Sequence, residues 1–120
     1  MAKVLVAEDD AAVSLLIAKT LEADGHDVTT VFSGLDAIDQ AKDGSFDLLV
    51  LDQFLPDRFG MEVLASVREA GIDLIVIVVS GLDDEDEVVK FFELGASDFI
   101  QKPFSRSELR ARIAVRLAQQ

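Results

Sequence analysis

Apolar residues along this chain alternate between short continuous runs and longer stretches in which they recur at every third or fourth position. The runs predict β-strands at residues 3–7, 27–32, 47–51, 74–79 and 98–101. The amphipathic stretches predict helices near residues 12–23, 35–43, 60–70, 85–94 and 106–118. Three of the strands are almost wholly apolar, as expected for parallel strands that helices cover on both faces. The pattern therefore predicts an α/β fold of (βα)5 type, with a doubly wound parallel sheet.

The composition narrows the class of protein. The chain has 120 residues, half of them apolar, which suits one globular domain over residues 1–120 with no output domain. No apolar run approaches the ~20 residues that a membrane span needs, and there is no cysteine. The net charge of -12 argues against direct binding to nucleic acid. We therefore expect a cytoplasmic protein without membrane or nucleic-acid contacts of its own.

Polar side chains directly follow four of the predicted strands. Asp9, Asp52, Ser80 and Lys102 each come at or just after the end of a different strand. In open parallel sheets, ligands bind outside the carboxyl ends of the strands, so these side chains are expected to meet at one edge. Two carboxylates, a hydroxyl and an ammonium group in one place indicate a site for a cation and a phosphoryl group.

Each of these residues also has a plainer interpretation. In the run Glu8, Asp9 and Asp10, the last can cap the following helix while the others are solvated. Lys102 alone would more often be an ordinary surface lysine. Asp52 changes the balance, because a second acid at a strand end completes the carboxylate pair that Mg²⁺ accepts. A carboxylate can also attack a phosphoryl group and hold it as an acyl phosphate, which makes Asp52 the candidate nucleophile.

Several short motifs carry a resemblance to a known family. They are Val4–Asp10, Phe46–Asp52, Leu55–Asp57, Gly95–Phe99 and Lys102–Phe104. In this order and at these spacings, over essentially all 120 residues, the chain resembles the receiver domain of bacterial two-component response regulators. The resemblance implies a flavodoxin-like sheet with strand order 2-1-3-4-5.

The resemblance also implies roles for residues at the proposed site. Asp52 would be the phosphoacceptor, and Lys102 would bind the phosphoryl group. Glu8, Asp9 and Asp52 would hold Mg²⁺ (or Mn²⁺), with the backbone carbonyl of Phe54 as a further ligand. The donor would be a phosphohistidine on a histidine kinase or a histidine phosphotransfer protein. The domain would promote its own phosphorylation and dephosphorylation without turning over a separate substrate.

A conformational switch is implied as well. Ser80 would move to the phosphoryl group and Phe99 would change rotamer, which alters the face formed by the fourth helix, fifth strand and fifth helix. Phe91 and Phe92 are adjacent on the fourth helix and cannot both point inward. We expect Phe92 and Val89 to face the core, and Phe91 to be a partly exposed contact for a partner.

The same face raises the question of a homodimer formed on phosphorylation. Asp98 and Arg112 resemble one cross-dimer ion pair of the winged-helix transcription-factor class. Val88 and Ala114 depart from the pattern of that class.

Two alternatives to a phosphorylated switch exist. An aspartate-nucleophile phosphatase needs a second aspartate two residues after the nucleophile, and Phe54 stands there. A receiver fold used as a phosphorylation-independent interaction module remains the alternative function. The sequence leaves open whether the chain is a stand-alone regulator or phosphorelay shuttle, or the receiver of a longer regulator.

Overall fold

The computed structural model describes residues 1–119, which form five strands and five helices in strict alternation. The strands are β1 (Lys3–Ala7), β2 (Asp27–Val31), β3 (Leu48–Leu51), β4 (Ile75–Ser80) and β5 (Asp98–Gln101). The helices are α1 (Ala11–Ala23), α2 (Gly34–Asp43), α3 (Gly60–Glu69), α4 (Glu85–Glu93) and α5 (Arg106–Ala118). Every predicted element is confirmed, and the bounds differ from prediction by no more than about one residue, as is usual at element ends.

The strands form one parallel sheet in the order β2-β1-β3-β4-β5, which confirms the implied topology. The register pairs Ala7 with Leu51, and Leu51 with Val78. The carboxyl ends of β1 and β3 therefore lie level with each other, and β4 extends two residues beyond them to Ser80. Residues that follow these strands are carried to the same edge of the sheet.

Apolar side chains of the helices cover both faces of the sheet. On one face, α1 and α5 contribute the buried residues Ile17, Leu21, Leu109 and Ile113. On the other face, α2, α3 and α4 contribute Ala37, Ala41, Val63, Leu64, Val67 and Phe91. Burial of a Leu, Ile, Val or Phe side chain contributes about 1.5–3 kcal/mol, so the two layers supply most of the stabilisation.

Local hydrogen bonds define where several helices begin. Asp10 Oδ1 accepts from the backbone N–H groups of Ala12 and Val13, at 2.9 and 3.2 Å. This confirms the interpretation of Asp10 as the N-terminal cap of α1. Ser33, Asp84 and Ser105 cap α2, α4 and α5 in the same way.

The predicted orientation of α4 is wrong. Phe91 is fully buried, whereas Phe92 and Val89 are about half exposed. The ring of Phe91 packs against that of Phe99, with centroids 5.8 Å apart. A spacing of three residues fits the pair Val88 and Phe91 as well as the pair Val89 and Phe92, so the helical period alone could not decide between them. From its buried position Phe91 offers no surface to a partner.

Candidate functional site

The site lies at the carboxyl edge of the sheet, where β1 and β3 end side by side. The N–H of Asp52 donates to the carbonyl of Ala7 at 3.0 Å, and the N–H of Glu8 donates to that of Val31 at 3.2 Å. These bonds continue the parallel ladders by one residue beyond the strands. Glu8 and Asp52 are therefore held by the backbone of the sheet and not by flexible loops.

Three carboxylates meet at this edge. Glu8, Asp9 and Asp52 each offer an oxygen atom within 4.8 Å of the others. Glu8 and Asp52 are 2% and 5% exposed, while Asp9 is exposed to solvent. Carboxylates so close together repel one another, and a cation compensates that repulsion. An oxygen-only donor set of this kind suits a hard divalent cation such as Mg²⁺.

Lys102 neutralises part of this charge. Its Nζ lies 2.6 Å from Glu8 Oε1 and 3.6 Å from Asp52 Oδ1. Burial by itself would lower the pKa of Lys102, but the hydrogen bond to Glu8 and the charges of Asp52 and Glu8 outweigh it and raise that pKa. The ammonium group is therefore charged at neutral pH. The peptide bond from Lys102 to Pro103 is cis.

The pKa of Glu8 is shifted by its surroundings. Burial raises its pKa above the ordinary value of 4.5, and the nearby charge of Asp52 adds to the effect. The hydrogen bonds from Lys102 and from the N–H of Asp10 oppose the rise. Because Lys102 lies next to both Glu8 and Asp52, a change of charge at one of these groups acts on the others.

Ser80 and Phe99 lie on the neighbouring strands. Leu51 pairs with Val78, and β4 continues for two more residues, so its last residue, Ser80, lies at the same carboxyl edge of the sheet as Asp52. Ser80 is fully buried, and its Oγ accepts from the N–H of Leu82 at 3.2 Å. Phe99 is partly buried and contacts the core through Phe91. The switch roles of both residues stay predictions.

The loop from Asp52 to Gly60 shapes the rest of the site. Gly60 approaches the strand end so closely that an added Cβ would lie 2.5 Å from the carbonyl oxygen of Asp52. The N–H of Gly60 donates to the carbonyl of Gln53 at 2.8 Å, and the N–H of Met61 donates to the Gln53 side chain at 2.8 Å. Neither Gln53 nor Gly60 was predicted to contribute to the site. The sequence does carry one signal for Gly60, because a glycine at the predicted start of a helix allows another backbone segment to approach closely.

Two exposed aromatic residues stand on that loop. Phe54 and Phe59 are each 53% exposed, and their rings meet edge to face with centroids 6.4 Å apart. Phe59 is the residue before the first turn of α3, and its side chain cannot cap the helix. The side chain of Glu62 accepts a hydrogen bond from the N–H of Phe59 at 3.1 Å. The carbonyl of Phe54 is two residues from Asp52 and so lies in the same short segment.

The predicted interaction residues of β5 and α5 are engaged within the chain. Arg112 Nη1 lies 3.2 Å from Asp98 Oδ1, and Arg116 Nε lies 3.5 Å from Asp98 Oδ2. Asp98 is only 8% exposed. The cross-dimer ion pair stays a prediction, and it would require Arg112 to exchange this partner for another.

Among residues 1–119, no helix is both long enough and apolar enough to cross a bilayer.

Comparison with known proteins gives a consistent match. The model of the response regulator receiver domain family matches residues 4–114. The transcriptional regulatory protein CiaR of Streptococcus pneumoniae is 39% identical over 113 residues, which are 94% of this chain and 50% of CiaR. The cell cycle transcriptional regulator CtrA of Caulobacter vibrioides is 39% identical over 111 residues, 92% of this chain and 48% of CtrA. The chain thus spans about half the length of the curated relatives it matches.

Solved structures agree. The receiver domain of the Francisella response regulator 1452 superposes with a TM-score of 0.91 at 32% identity, covering 96% of this chain and 95% of that one. The BeF3-activated receiver domain of DrrB superposes with a TM-score of 0.90 at 32% identity, covering 98% of both chains.

Proposed function

Because the chain belongs to the family of response regulator receiver domains, which act in phosphorylation-dependent two-component signalling, we propose that Asp52 accepts a phosphoryl group and thereby switches the domain. One observation carries the proposal. A buried carboxylate at a strand end lies beside two further carboxylates and within 3.6 Å of a charged lysine. That set can hold a divalent cation and receive a phosphoryl group.

The carboxylates supply the metal site. Glu8, Asp9 and Asp52, with the backbone carbonyl of Phe54, would hold Mg²⁺ (or Mn²⁺). When bound, the cation neutralises the charge of the phosphoryl group and aligns its donor. A bound cation would also offset the desolvation penalty that burial imposes on ionised Glu8 and the repulsion from Asp52.

Transfer is a displacement at phosphorus. A carboxylate oxygen of Asp52 attacks, a P–O bond forms, and the P–N bond to a donor histidine breaks. The imidazole leaves with the bonding electron pair and takes up a proton from solvent. A histidine kinase or a histidine phosphotransfer protein is the proposed donor. Lys102 binds a phosphoryl oxygen, because its Nζ lies between Glu8 and Asp52 and a small movement reaches the product.

The readout is a repacking of the α4–β5–α5 face. The Ser80 hydroxyl donates a hydrogen bond to a phosphoryl oxygen and no longer accepts the one from the N–H of Leu82. The loop after β4 moves inward, and Phe99 changes rotamer to fill the space. Since Phe91 packs on Phe99, that rotamer change is transmitted to α4.

Intact mass after incubation with acetyl phosphate tests the proposal. We expect one added phosphoryl group on the wild type in the presence of Mg²⁺, and none in EDTA or with Asp52→Asn. Asp43→Asn, an exposed acid on α2, is the matched control and should be modified like wild type. Absence of an adduct under rapid quenching, together with failure to bind beryllofluoride, would leave the phosphorylation-independent interaction module.

A further inference from the structure

The middle of the β3–α3 loop, residues 52–60, has an uncommon backbone conformation. Asp57 has φ 63°, and it is the one non-glycine residue within 1–119 with a positive φ. This left-handed conformation costs free energy for an L residue, although aspartate tolerates it better than most. The cost is offset by a contact to another element, because Asp57 Oδ1 accepts from the N–H of Leu35 at 3.0 Å.

Leu35 lies in the first turn of α2, so the bond ties the loop to that helix. A second tie is next to it: the N–H of Gly34 donates to the carbonyl of Pro56 at 3.2 Å. An added Cβ at Gly34 would overlap the carbonyl oxygen and Cβ of Arg58. Backbone atoms of loop and helix are therefore in direct contact, and position 34 has no room for a side chain.

Hydrogen bonds engage only part of the loop's carbonyl groups. The carbonyls of Gln53, Pro56, Asp57 and Phe59 all accept hydrogen bonds. Within residues 1–119, the carbonyls of Asp52, Phe54, Leu55 and Arg58 accept none. A loop tied to α2 thus carries unengaged carbonyls, and that of Phe54 belongs to the second residue after Asp52.

We propose that Asp57 is a positioning residue, which locks the β3–α3 loop onto the start of α2 and so holds the Phe54 carbonyl where a divalent cation can bind it. The inference rests on the proposed function, since it assumes that Glu8, Asp9 and Asp52 bind Mg²⁺. Mg²⁺ demands nearly ideal octahedral geometry, so a small displacement of one ligand weakens binding. Residues that orient metal ligands typically change affinity by about 10–100-fold when replaced.

Asp57 contributes an acceptor oxygen and tolerance of a positive φ. Calorimetric titration of variants with Mg²⁺ alone separates these two contributions. Asp57→Asn keeps an acceptor oxygen and tolerance of positive φ, and should bind Mg²⁺ nearly like wild type. Asp57→Gly keeps only the backbone freedom and should be intermediate. Asp57→Ala loses both, and its Kd should rise at least about tenfold. Each of these variants removes the same charge, so the differences among them report geometry.

Two further variants complete the design. Gly34→Ala leaves every titratable group in place and pushes the loop away from α2, and it should weaken Mg²⁺ binding as Asp57→Ala does. Asp39→Ala, an exposed acid elsewhere on α2, should match wild type. Circular dichroism in EDTA establishes that each variant is folded.

The outcomes are distinct. Equal Kd values for Asp57→Ala, Asp57→Asn and wild type would overturn the positioning role while leaving the proposed function intact. If wild type and Asp52→Asn both fail to bind Mg²⁺, the proposed function fails and the positioning role fails with it.

Discussion

Glu8 shows how a single residue can be held in an unfavourable state until a ligand arrives. Its carboxylate is almost fully buried, it lies near Asp52, and its main compensation is the 2.6 Å contact with Lys102. Burial raises its pKa, which means that the folded state holds a proton at Glu8 more tightly than the unfolded chain does. Ionised Glu8 is therefore a local source of instability that a bound cation would remove.

The sign of this effect predicts a pH dependence. Because the pKa of Glu8 is higher in the folded state than in the unfolded chain, the proton bound at Glu8 contributes stability below the ordinary pKa of 4.5. That contribution is lost as the pH rises through the pKa of the folded state. The free energy of unfolding of wild type minus that of Glu8→Gln should therefore fall as the pH is raised above 4.5 in EDTA. Urea unfolding at a series of pH values measures the difference. Glu69→Gln, an exposed acid on α3, should show no such fall; a flat or rising curve for Glu8 would contradict the argument.

Among the elements, α4 is attached to the domain in an unusual way. Phe91 is its one fully buried residue, and acids crowd its first turn. Its C-terminal end is anchored from α3, where Arg68 donates to the carbonyl of Gly95 at 2.9 and 3.1 Å. A helix anchored at one end and by one aromatic side chain can move as a unit when the packing under that side chain changes.

Replacing the two adjacent phenylalanines should therefore have unequal effects. Phe91→Ala removes a fully buried ring and should cost about 3–5 kcal/mol of unfolding free energy. Phe92→Ala removes a half-exposed ring and should change it by no more than about 0.5 kcal/mol. Urea denaturation followed by circular dichroism measures both. Similar losses for the two variants would mean that α4 is oriented differently in solution.

At the scale of the whole molecule, the net charge of -12 opposes compaction. Part of that charge is concentrated at the carboxyl edge of the sheet by Glu8, Asp9 and Asp52. Dissolved salt and a cation bound at the site should both reduce the repulsion among these acidic side chains, but by different mechanisms. Screening acts on all exposed charges, whereas a bound cation acts only through the site.

Magnesium should therefore stabilise the fold beyond its contribution to ionic strength. At 100 times Kd, binding to the native state alone adds about 2.7 kcal/mol to the unfolding free energy. Thermal unfolding in EDTA, in sodium chloride and in magnesium chloride of matched ionic strength makes the comparison. Asp9→Asn should retain the response to sodium chloride and lose most of the extra response to magnesium. An equal response of both proteins to magnesium would argue against the carboxylate site.

The sequence by itself determined the order and type of the elements, because apolar periodicity and caps act over a few residues. It also located Asp9, Asp52, Ser80 and Lys102 at one edge, since parallel strands bring their carboxyl ends together whatever the details of packing. Only the tertiary structure decided which face of α4 is buried, because Val88 with Phe91 and Val89 with Phe92 have the same spacing. The tie between Asp57 and Leu35 was likewise hidden, since it joins segments 22 residues apart through a loop conformation that no local pattern specifies. Interactions between residues close in the sequence can be predicted from the sequence. Contacts that depend on how two elements pack against each other exist only once the chain has folded.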